Sequence, residues 1–64
     1  MKHREIELIN PWSGAVGRVM TWANILAWAR ENLKKSERHA WLQRARRAMR
    51  RNDGKTLGIM IIGS

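Results

Sequence analysis

The 64-residue chain predicts a small α+β domain in the order strand–strand–helix–helix–strand, with a helical hairpin on a three-stranded sheet. Three observations predict it. Residues 4–9, REIELI, alternate charged and apolar side chains. Residues 22–51 carry apolar residues at helical spacing in two blocks. Residues 56–62, TLGIMII, form an apolar run behind a turn sequence.

The first strand puts Ile6 and Leu8 on one face and Glu5 and Glu7 on the other, the pattern of a half-buried strand. Asn10-Pro11-Trp12-Ser13-Gly14 closes it, because the residue before proline is forced into extended geometry and Ser-Gly favours a turn. Residues 15–20, AVGRVM, fit either a second strand in a hairpin or the opening of a helix. Gly14 and Gly17 would each cost a helix about 1 kcal/mol, which favours the hairpin.

Thr21 is placed to cap a helix over residues 22–33, whose apolar arc is Trp22, Ile25, Leu26, Trp28, Ala29 and Leu33. Lys34 and Lys35 break the chain, and Ser36 is expected to cap a second helix running to about Arg51. Asn52-Asp53-Gly54 should stop it, with the glycine just past the end. Residues 56–62 then read as a third strand, apolar on both faces. Such a strand needs cover on both sides, as the centre of a small sheet or across a dimer interface.

Length and composition describe a single small domain over residues 1–64 with little to stabilise it. There is no cysteine, hence no disulfide or thiolate metal site, and His3 and His39 are too few for structural zinc. No cofactor is expected. Four tryptophans stand out, since each can bury about 150–250 Å². Together with the apolar run they exceed what so small a core can cover, and a homodimer is the expectation.

The formal net charge is +8, which attracts polyanions. The charge is local. Residues 30–51 hold nine Lys or Arg against Glu31 and Glu37, a local +7. Lys2 and Arg4 are balanced by Glu5 and Glu7, and the acids with Asn10 and Pro11 interrupt any secretory apolar core. No run is long enough to span a bilayer, so a cytoplasmic protein is expected.

The centre of that charge is RARRAMRR, residues 44–51. On a helix, Trp41, Leu42, Ala45, Ala48 and Met49 fall within roughly 120°, and Arg44, Arg46, Arg47, Arg50 and Arg51 occupy roughly the opposite 160°. Arg38, near the helix start, adds a sixth arginine. Such a helix docks on its own protein and offers guanidinium groups to something acidic. Solubilising faces normally mix both signs, so an unmixed arginine face points to binding. The run QRARRAMRR, residues 43–51, resembles the arginine-rich helical motifs that bind RNA hairpins, in which planar guanidinium groups pair phosphates and base edges. Trp12 in the turn, with Arg18 nearby in sequence, could stack on a base or enter a partner's pocket.

Other arrangements fit less well. A helix-turn-helix would place its base contacts at the start of the second helix, where Glu37, Arg38, His39, Ala40 and Trp41 stand, and its turn would carry a glycine. A ribbon-helix-helix dimer would present Glu5 and Glu7 to phosphates. A membrane-surface helix gains little from Ala45 and Ala48, which suit close packing against the first helix. His39 is expected at the surface. With no acidic pair on one helix face, no Ser-His-Asp set, no cysteine nucleophile and no phosphate loop, the chain reads as a non-enzyme.

The expected function is therefore that of a small basic nucleic-acid-binding accessory or regulatory protein, acting on DNA or RNA through the second helix. The rival is an inhibitor or adaptor that docks on an acidic protein surface. Small, basic, cysteine-free chains of this kind resemble accessory proteins of phages and mobile elements.

Overall fold

A computed structural model describes residues 5–63, so Arg4, expected at the start of the first strand, lies outside the described residues. Two antiparallel strands, β1 (Glu5–Ile9) and β2 (Val16–Thr21), precede three helices, α1 (Trp22–Asn32), α2 (Lys35–Arg50) and α3 (Gly54–Ile61). The α+β class and the first four elements match the sequence expectation. The fifth does not.

The hairpin follows from alternation and turn chemistry. Ile6 and Leu8 are buried while Glu5 and Glu7 are exposed. Asn10 organises the turn: its Oδ1 accepts N–H bonds from Trp12 (2.8 Å) and Ser13 (3.1 Å). Gly14, at φ +76°, supplies the left-handed residue. Pairing runs from Glu5 opposite Thr21 to Leu8 opposite Arg18, then shifts so that Ile9 faces Val16. Gly17 is the extra residue in β2, a bulge that bends this edge of the sheet.

Thr21 caps α1 as the sequence implied. Its Oγ1 accepts the Asn24 N–H at 3.2 Å, and the Asn24 side chain accepts the Thr21 N–H at 3.3 Å. The cap of α2 is a correction. Ser36 already lies inside the helix, and the extended Lys34 (ψ 148°) precedes its first turn. The reason is Glu37, which stands three residues after Lys34 and accepts its N–H at 3.3 Å.

The end of α2 is a second correction. The stop is Asn52, at φ +54°, and not Gly54. The Asn52 N–H bonds the Met49 carbonyl (3.0 Å) and the Asp53 N–H bonds the Ala48 carbonyl (2.8 Å), the paired bonds of a Schellman termination. Asp53 then turns from closing one helix to opening the next. Its Oδ1 accepts the Thr56 N–H at 3.0 Å and its Oδ2 accepts the Thr56 hydroxyl at 2.7 Å.

Residues 56–62 thus belong mainly to a helix, and the expected three-stranded sheet is a two-stranded one. The helical spacing was present: Gly54, Leu57, Gly58 and Ile61 fall at i, i+3, i+4 and i+7, and all are buried. The free edge of β1 receives this helix in place of a strand. Asn10 bonds toward β2 through both its N–H and its C=O, so alternation turns the Glu7 and Ile9 carbonyls the other way. Gly54 and Gly58 lie against those two carbonyls, so closely that a Cβ at either position would overlap the oxygen. The approach brings glycine Cα–H groups to carbonyls no strand pairs.

The core gathers Ile6, Leu8 and Met20 from the hairpin, Ile25 and Ala29 from α1, Ala45, Ala48 and Met49 from α2, and Leu57, Met60 and Ile61 from α3. Trp22, Trp28 and Trp41 pack at its margin, half-buried.

Candidate functional site

Helix α2 divides as its periodicity requires. Ala45, Ala48 and Met49 are buried, with Trp41 and Leu42 packed beside them. The two alanines let α2 settle closely on its neighbours, and Trp41 fixes it to α1. The Trp41 and Trp28 rings stack with centroids 5.1 Å apart and planes 23° from parallel. The opposite side of a well-anchored helix is then held toward solvent.

On that side Arg44, Arg46, Arg47 and Arg50 are all exposed. Gln43, Arg46, Arg47 and Arg50 line one shallow groove. Among the described residues no carboxylate lies within ion-pair distance of Arg44, Arg46 or Arg47. These guanidinium groups repel one another and leave donors free for an anion.

Two of the expected arginines are placed differently. Arg51 follows the last turn as the helix C-cap, and its Nη2 lies 3.9 Å from Asp53 Oδ2. It stays largely exposed and borders the arginine face, with a carboxylate beside it. Arg38 is half-buried and its Nε is enclosed without a hydrogen-bond partner. Position 38 shares the helix side of Leu42, Ala45 and Met49, at i+4, i+7 and i+11, so it faces the packed side and not the ridge.

Trp12 and Arg18 belong to the hairpin, which packs chiefly against α1 and α3, whereas α2 packs against α1 and α3. Trp12 is 74% exposed in the turn. Arg18 is exposed opposite Leu8. Among the described residues the aromatic that meets an arginine is Trp22, whose ring centroid lies 5.6 Å from the Arg46 Cζ. Around that contact Trp22, Leu26, His39, Leu42, Gln43 and Arg46 line a second groove, between α1 and α2. Periodicity within α2 could have picked out His39 and Gln43, which stand seven and three residues before Arg46 on the same side. The partnership with Trp22 crosses two helices, and no single-helix pattern reveals it.

Asp53 is a titratable side chain that its surroundings shift. The Thr56 hydroxyl and backbone bonds hold its carboxyl below the ordinary value, opposed by desolvation and aided to a lesser degree by the Arg51 and Lys55 charges. Its place is structural, at the joint between α2 and α3. Among the described residues no cluster of His, Asp or Glu could hold a metal ion, and no helix is long and apolar enough to cross a membrane. No family model, curated protein or solved structure matches the chain, so its functional reading rests on the arginine face and the groove beside it.

Proposed function

We propose that this chain is a nucleic-acid-binding accessory or regulatory protein, without catalytic activity, that grips a phosphate backbone with the exposed face of α2 in the cytoplasm. The observation that carries the reading is the set of Arg44, Arg46, Arg47 and Arg50, exposed along one side of a helix whose other side is locked into the core. Rigid placement matters because guanidinium donors held in position lose less freedom on binding than donors on a mobile tail. The net charge of +8 draws a polyanion to that face from a distance.

Fluorescence anisotropy with a labelled oligonucleotide tests the reading. Replacing Arg44 and Arg47 together by glutamine should weaken binding by about tenfold at moderate salt. Circular dichroism should stay unchanged, because both side chains are exposed. Unchanged affinity in the double variant would remove the ridge from the function.

A second reading, docking on an acidic protein surface, draws support from the hairpin. Trp12, Val16 and Val19 are large apolar side chains exposed along the hairpin, and they suit a protein partner better than a phosphate backbone. Self-association would use the same exposed apolar side chains, with Ile59 of α3 among them. Residues 56–62, where the sequence placed a dimer strand, now lie mostly within α3 against β1.

A further inference from the structure

The groove between α1 and α2 adjoins the arginine groove along α2, and Gln43 and Arg46 line both. From this junction we infer that the protein takes single-stranded nucleic acid, lodging one unstacked base against the Arg46–Trp22 pair while Arg47 and Arg50 hold the adjoining phosphates. The inference deepens the proposed nucleic-acid reading and rests on it.

The chemistry of the junction is particular. A phosphate-only surface needs charge and nothing else. Here the ridge adjoins a half-buried indole with a guanidinium carbon over its face, 5.6 Å from the ring centroid. A base can stack on the planar guanidinium group that the indole helps hold in place, and this arrangement uses the π-face that every base presents. Leu26 and Leu42 give the slot an apolar floor, while His39 and Gln43 offer donors and acceptors at its rim. In a duplex the base faces are stacked and hidden, so only a single strand or a loop can fill the slot. An acidic peptide would satisfy the arginines but would leave the indole and its rim unused.

Three labelled probes of equal length separate the parts: a single-stranded oligodeoxynucleotide, its duplex, and an abasic strand that keeps the phosphates and lacks the bases. The single strand should bind about tenfold tighter than the abasic strand at the same salt, the gain of stacking one base. Arg46→Lys keeps the charge and removes the planar group, and should bring that ratio close to one. Trp22→Leu should do the same, and Arg46→Lys keeps the test informative if the tryptophan variant is poorly folded. Equal binding of single and abasic strands by the unaltered protein overturns the slot and leaves the ridge standing. Failure of all three probes to bind overturns both. Competition by polyglutamate as effective as by the single strand also overturns the slot, in favour of an acidic protein partner.

Discussion

Trp41 of α2 stacks on Trp28 of α1, with ring centroids 5.1 Å apart, on the packed side of the helix whose other side carries the arginines. This pair makes the orientation of the basic face a consequence of aromatic packing. Trp41→Ala should therefore lower stability by about 2–3 kcal/mol, below the cost of a fully buried indole because the ring is half-buried. Chemical denaturation of the purified variant measures it. A loss within about 0.5 kcal/mol, typical of a surface position, would mean that the stack does not anchor α2.

Gly58 gives a prediction whose sign runs against helix propensity. In an ordinary helix interior, Gly→Ala stabilises by about 1 kcal/mol. Here the added methyl would overlap the Ile9 carbonyl, a backbone atom that cannot rotate away. Gly58→Ala should destabilise by about 3 kcal/mol as α3 is pushed off the β1 edge. If the variant melts at a higher temperature than the unaltered protein, the close approach of α3 to β1 is wrong.

Asp53 couples stability to pH. Its carboxyl is held below the ordinary value, mainly by the Thr56 hydroxyl. The charged form is thus favoured by folding, and its contribution is fully present above the ordinary carboxylate range. That contribution is lost as pH falls through the lowered folded value. Melting curves of the unaltered protein and Asp53→Ala should differ clearly at neutral pH and converge in acid. A gap that stays constant down to the acid limit would show that ionisation of Asp53 plays no part in capping α3.

Much of the fold was legible because local rules suffice for it. The alternation of Ile6 and Leu8 with Glu5 and Glu7, the Thr21 cap and the two faces of α2 all follow from residues within a few positions of one another. The last element was misread because Ile59, Ile61 and Ile62 favour strands, and β propensity is only a weak guide beside tertiary context. The overriding features were Asp53 with Thr56, a local cap three residues apart, and Gly54 with Gly58, a contact surface that only the β1 edge explains. At the site, exposure of Arg44, Arg46, Arg47 and Arg50 was legible from periodicity. The same periodicity places Arg38 on the packed side, so counting it with the ridge went beyond the pattern. The Arg46–Trp22 contact depends on how α1 crosses α2, which no spacing within one helix encodes.

The salt dependence of binding to a single-stranded oligonucleotide tests the central claim most directly. Four arginines on the α2 face should release counterions from about four phosphates, so log K against log salt should fall with a slope near −3. Each arginine replaced by glutamine should make that slope shallower by about 0.7. A slope near zero, or one that the arginine replacements leave unchanged, would contradict the claim that the exposed face of α2 grips a phosphate backbone.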